Sequence, residues 1–210
     1  MDINYETLFA FCSAVALLAI FPGPDNVYVL TQSLANGKKF GLATVAGLMT
    51  GCLVHTTLLA FGVSALIKAN DNLFLGIKIF GALYLFYLAY KVFRSNGNLE
   101  ISESKVSKKG LFALFKKGFV MNVLNPKVSL FFLAFFPSFL FSETMRTVAQ
   151  FYVLGGLFVL VSFLIFGAIT ILAGAISSYI HKKQGVGRFF KWMQIIVFVG
   201  IGVFILLSDK

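Results

Sequence analysis

Six stretches of this chain, residues 8–34, 41–67, 72–93, 118–141, 148–178 and 189–208, are apolar with few charges. Each is long enough to cross a hydrocarbon layer, which takes about 20 helical residues. Inside a bilayer the backbone must satisfy its own hydrogen bonds, and none of these stretches alternates apolar with polar residues as a barrel strand does. The reading is therefore an all-α membrane protein with about six transmembrane helices. Hydrophobic residues make up 59% of the chain and charged ones only 12%. An ordinary soluble domain carries about 25% charged residues, so a lipid bilayer is the first partner to expect.

The net charge of +10 points in a soluble protein toward nucleic acid. Here the bases sit in short segments between apolar runs, so no nucleic-acid partner is expected and charge reports topology instead. Lys38 and Lys39, seven bases over 91–117 and four over 182–191 fall on one side, thirteen in all. Lys68, Arg146 and Lys210 fall on the other. The positive-inside rule puts the thirteen in the cytoplasm and both termini outside. The chain starts with Asp2 and Glu6 where a signal peptide would be positive. Cys12 and Cys52 lie in apolar spans without a CxxC pattern and read as small buried side chains, so no disulfide, metal or cofactor is expected.

Two spans are interrupted. The first contains Pro22, Gly23 and Pro24, and the fourth contains Asn125 and Pro126. Proline removes a backbone donor and clashes with the carbonyl one turn back, so the helix opens and the freed groups need partners. Such backbone survives at membrane depth only where it is buried in protein or lines a cavity. A single register shift lays Pro24 on Pro126, Gly23 on Asn125 and Asp25 on Lys127. Each break opens a group of three spans, and an odd-numbered repeat inverts its orientation. Interrupted helices at matching places of inverted halves point to a transporter's binding site. The chain thus divides into a first three-helix repeat over 1–93, a basic cytoplasmic loop over 94–117 and a second repeat over 118–210.

The segments PGPDN, GKKFGLATVAGLMTGCLVH, GIKIFGALYLFYLAYK and NPKVSLFFLAFFPSF resemble the successive signatures of the LysE/RhtB family. The likeness runs from about Phe9 to Phe139 and more loosely to the end. It implies a multi-pass protein of the bacterial inner membrane that exports an amino acid or derivative, with the proton as coupling ion. Oligomeric state stays open.

Candidate site residues cluster at the breaks. Asp25 is an ionisable residue within a span, which points to a cavity and a partner. It also suits the start of a half-helix, where it would cap free donors. Lys127 is the matching counter-charge, to pair with Asp25 or to snorkel toward the cytoplasm. Asn26, Asn122 and Asn125 offer amides for a substrate or for sealing opened backbone. His55 follows Ala43, Gly47 and Gly51 on one helix face. It reads as a proton relay or as a polar contact in a tight helix seam. Lys78 is expected to snorkel, and Trp192 to anchor at the cytoplasmic interface. Tyr84, Tyr87 and Tyr90 share one face, lining the cavity or packing in the core. His181 is expected in solvent.

The substrate is expected to be neutral. A lysine or arginine side chain would want a second buried acid, and Glu6, Asp71, Glu100, Glu103, Glu143 and Asp209 all fall at span ends or in loops. An intramembrane enzyme would need clustered ligands or a nucleophile with its base in the spans. A passive channel would not need inverted breaks.

Overall fold

The computed structural model describes residues 2–21, 23–64, 71–96, 110–182 and 186–207. Pro22, Lys68, Lys210 and most of the 94–117 loop lie outside the described residues, as does the side chain of His181. Nine helices follow one another over the described residues, with no strand among them. They are α1 (Tyr5–Ile20), α2 (Pro24–Asn36), α3 (Lys38–Leu58), α4 (Asp71–Arg94), α5 (Leu111–Val123), α6 (Pro126–Phe135), α7 (Thr147–Ile171), α8 (Ala173–Lys182) and α9 (Val186–Leu207). A π turn, Leu59–Val63, prolongs α3, and a 3-10 turn, Phe136–Phe139, prolongs α6. Four helices are each long and apolar enough to cross a membrane. The bent pairs α1–α2, at 59°, and α5–α6, at 53°, make six if each counts as one span.

The helix starts follow from local chemistry. Asn4 caps α1, its side chain accepting from the Thr7 amide at 3.0 Å. α2 and α6 each begin on a proline, whose missing donor costs nothing at that position. Between α2 and α3 the chain turns on Gly37 alone, at φ 98°. A side chain there would meet the left-handed penalty that glycine avoids.

Two boundaries differ from the sequence reading. Residues 111–117, expected in the basic loop, form the first two turns of α5. Lys116 and Lys117 thus ride on a helix whose charged start sits at the membrane edge. The fifth span ends at Ile171 rather than running to 178. Leu172 leaves helical geometry, with φ −93° and ψ 10°, and α8 restarts beyond it and packs on α2.

Packing is tightest between α3 and α5, and α4 pairs with α9, α3 with α7, and α1 with α7. Glycine makes the α3–α5 approach possible. Gly47 faces the backbone of Phe115 and Phe119, Gly118 faces that of Thr44 and Leu48, and Gly51 faces the Asn122 side chain. In lipid, where burial of apolar surface between helices gains little, such close contact is what holds helices together. The outward faces carry Leu83, Tyr87, Leu164, Ile196 and Phe204, all exposed, as a lipid-facing surface requires.

The helix ends sort into two sets. At one end the Asn4 amide donates to the Phe141 carbonyl at 2.9 Å. There too the buried Gln150 side chain accepts from the amides of Phe141 (2.7 Å) and Ser142 (3.0 Å) and donates to the carbonyls of Ser142 (2.8 Å) and Met145 (2.9 Å). At the other end Lys191 Nζ donates to the Ser95 carbonyl at 2.6 Å, and Phe93 meets half-exposed Trp192 edge-on at 6.0 Å. Helices that alternate in direction put Lys38, Lys39, Lys91, Arg94, Lys116, Lys117, Arg188 and Lys191 at this second end. The first end has Arg146, beside Asp2, Glu6, Asp71 and Glu143. The bases thus gather at the second end, as the sequence pattern leads one to expect.

Lys78 is buried, two turns inside α4. None of the three tyrosines lines the cavity, and Tyr84 is partly buried beside Tyr87. Ala82, Leu85 and Ala89 form the buried stripe of α4, and Tyr87 and Tyr90 face outward, more than half exposed.

Candidate functional site

The two breaks meet. At the first, the chain leaves helix at Phe21 and restarts at Pro24, with Gly23 extended between them at φ −120° and ψ 179°. The Asn26 side chain stands in the opened ladder, its Nδ2 donating to the Ala19 carbonyl at 2.7 Å and its Oδ1 accepting from the Gly23 amide at 3.4 Å. One side-chain amide thereby replaces both partners of a lost backbone bond. At the second break Pro126 has no donor for the Asn122 carbonyl. That carbonyl accepts instead from the Asn125 amide at 3.0 Å and from His55 Nε2 at 3.2 Å. A carbonyl only accepts, so the His55 bond fixes the tautomer with hydrogen on Nε2.

Asn125 joins the breaks. Its Oδ1 caps α6 by accepting from the Lys127 amide at 3.1 Å, and its Nδ2 donates to Asp25 Oδ2 at 3.1 Å. Asp25, in the first turn of α2, sits where a helix favours negative charge. Lys127 lies in the same cavity, but the expected direct pair does not form: among the described residues no carboxylate–ammonium contact links it to Asp25. Its ammonium lies 5.1 Å from the centre of the Phe198 ring, a cation–π contact worth about 2 kcal/mol when desolvated.

The cavity is small, about 80 Å³ of accessible space, and it opens at a mouth. Gly23, Pro24, Asp25, Asn26, Asn125 and Lys127 line its charged part. Leu48, Met49, Phe131, Phe158 and Phe166 form most of the apolar remainder, with Cys52, Asn122 and Ser162 between them. His55 is not in the wall. It is buried in the α3–α5 seam, 5.4 Å from the Phe132 ring. Pro126 sets the start of α6 without lining the cavity, and Pro22 lies outside the described residues.

Sequence reasoning did not single out Cys52 or Ser162 as wall residues, nor Phe198 as the platform for Lys127. An isolated small residue in an apolar helix carries no periodic signal, and the cavity draws on every span. Phenylalanines of α6 and the turn after it pack on one another toward the end that carries few bases. Phe131, Phe135 and Phe139 stack at 4.3 Å steps along α6, Phe132 and Phe136 at 4.2 Å beside them, and Phe11 meets Phe136 edge-on at 5.1 Å. Each such pair adds about 0.5–1.5 kcal/mol beyond its buried area.

The profile of the LysE type translocators matches residues 16–209, nearly the whole chain. The chain belongs to this family. The LysE-type assignment agrees with the resemblance carried by PGPDN and NPKVSLFFLAFFPSF and makes the protein a member of a transporter family rather than an intramembrane enzyme. A homoserine/homoserine lactone efflux protein of Salmonella typhimurium is 28% identical over 182 residues, covering 86% of this chain and 87% of the relative. A leucine efflux protein of the same species is 26% identical over 198 residues, covering 94% and 92%. A membrane protein of Pseudomonas aeruginosa is 29% identical over 207 residues, covering 93% and 92%. No solved structure matches this LysE-type translocator.

Proposed function

We propose that the chain exports a small neutral amino acid from the bacterial cytoplasm across the inner membrane in exchange for protons. One observation carries the reading: an acid and a base from two broken helices line one cavity, with Asn125 of the second break holding the acid of the first, in a member of a translocator family. Asp25 receives the substrate's ammonium. The carboxylate goes to Lys127 and to the start of α2, whose first amides carry no side-chain cap. Free Asn125 would hold Asp25 until substrate replaces it.

The wall supports a neutral substrate, since Asp25 is its only acid among the described residues. The efflux relatives, for homoserine and for leucine, agree in class. The phenylalanine packing toward the low-charge end supports receipt of substrate from the basic, cytoplasmic end. Asp25 is the group for proton exchange, because a protonated carboxyl no longer attracts an ammonium. We further propose that 1–93 and 118–210 form an inverted repeat. The pairings support it: α3 with α7 and α4 with α9 are like with like, while α3–α5 and α7–α1 exchange under a two-fold axis.

Purified protein in proteoliposomes loaded with a panel of labelled amino acids tests this. Efflux of at least one neutral amino acid, faster than from protein-free vesicles and accelerated by an imposed proton gradient, is expected. Flux of none of them overturns the exporter; flux indifferent to the gradient overturns proton exchange.

A further inference from the structure

Hydroxyls in apolar helices satisfy themselves locally, and this protein follows the habit. Ser33, Thr44, Thr50, Thr56, Thr57, Ser129 and Thr170 each donate to the carbonyl one turn back, at 2.7–3.2 Å. Ser162 does not. It lies in the middle of α7, is 2% exposed, and makes no hydrogen bond among the described residues. It also supplies the only hydroxyl of the described cavity wall, set between Phe158 and Phe166 one turn to either side.

The other polar groups of that wall are engaged. Asp25 holds Asn125, Asn26 bridges its break, Lys127 rests on Phe198, and Asn122 donates to Cys52 Sγ at 3.4 Å. The Asn122 Oδ1 has no partner among the described residues but is fully buried against Gly51. Apart from the Lys127 ammonium and the first amides of α2, which the proposed function gives to the substrate's carboxylate, Ser162 is the uncommitted polar group of the described wall.

We propose that Ser162 determines specificity: its hydroxyl bonds a polar group on the side chain of the transported amino acid. The site then prefers a neutral amino acid bearing a side-chain hydroxyl over an apolar one of equal shape. The inference rests on the exporter reading, in which Asp25 and Lys127 take the main-chain charges. The substrate's side chain then lies against the remaining wall, Leu48, Met49, Phe158, Phe166 and Ser162. A hydroxyl buried among such residues discriminates well, because an apolar substituent leaves it unpaired, whereas size alone separates analogues poorly.

L-homoserine and L-norvaline differ by a hydroxyl in place of a methyl group, which makes them suitable probes. In proteoliposomes carrying the full chain, each is assayed alone for counterflow and then against the other. The unsubstituted protein is expected to favour L-homoserine by about tenfold or more. Ser162→Ala should bring the two within about twofold while L-norvaline still moves, and Ser162→Thr, which keeps a hydroxyl, should retain the preference. Should Ser162→Ala fail to fold, Ser162→Cys, with its weak donor, should give an intermediate ratio.

A ratio unchanged by these substitutions, or no preference in the unsubstituted protein, overturns the role of Ser162. So does flux of other amino acids with neither probe moving, which leaves the exporter standing. Flux of no amino acid overturns both.

Discussion

The two helix breaks solve one problem in different ways. The first is sealed from within: Asn26, on the half-helix that follows, reaches back into the ladder at Ala19 and Gly23. The second is sealed from outside, its freed Asn122 carbonyl held by His55 of a neighbouring helix, and its new helix capped by Asn125. The first is sealed within its own span and leaves the start of α2 without a side-chain cap. The second is tied into the α3–α5 seam. The contrast teaches that an opened ladder can be closed by its own span or by a neighbour, and that only the first way leaves helix-start donors uncapped.

The largest effects should come from the charges the breaks deliver. Asp25→Asn keeps an oxygen that can accept the Asn125 amide but removes the negative charge. Lys127→Met removes the positive one. Each is expected to lower transport at least about 100-fold with the protein still inserted, since groups that hold a substrate's own charges are worth several kcal/mol. Counterflow in vesicles with matched protein content is the measurement, and near-normal flux from Asp25→Asn would reduce that residue to a helix cap.

The prolines come next and should be unequal. In Pro126→Ala a restored N–H competes directly for the Asn122 carbonyl, and no other helix breaker remains beside Asn125. In Pro24→Ala, Pro22 and Gly23 still interrupt the helix. Transport should fall about tenfold or more in the first and clearly less in the second. The reverse order would mean that the first break, not the second, is the one proline maintains.

Stability separates the two seals. Asn26→Ala orphans a buried carbonyl and an amide and should cost about 1–3 kcal/mol. Asn125→Ala loses a cap worth about 1 kcal/mol together with the bridge to Asp25, so its transport should suffer more than its stability. Denaturant titration in detergent, set beside counterflow, resolves the two. The smallest effect should be His55→Gln, whose amide can still donate to the Asn122 carbonyl: flux within about twofold and stability within about 0.5 kcal/mol. A loss of flux comparable to that of Asp25→Asn would restore the relay role that the seam position argues against.

Much of this was readable beforehand. Pro24 and Pro126 announced the breaks because proline's missing donor acts regardless of context. Asp25 and Lys127 stood out because charge at membrane depth is costly. The close seam was visible in Gly47 and Gly51. Other features had no local signature. Leu172 ends a helix without proline or glycine. Lys116 and Lys117 looked like loop residues although a helix start at the membrane edge tolerates them. The tyrosines of α4 did share one face, but only tertiary packing decided that Ala82, Leu85 and Ala89 would turn inward instead. Ser162 was one polar residue in a long apolar run, and its importance lies in a bond it does not make.

The phenylalanine stack bears on leakage. Its rings present no polar atom along several layers from Phe131 to Phe139. Water entering such a space would forfeit its own hydrogen bonds without replacement, so no continuous file of molecules can persist there for protons to hop along. Under the proposed exchange, protons leaking past these rings would waste the gradient that drives export. The same rings would then have two duties, insulating the membrane at rest and parting for the solute in transit.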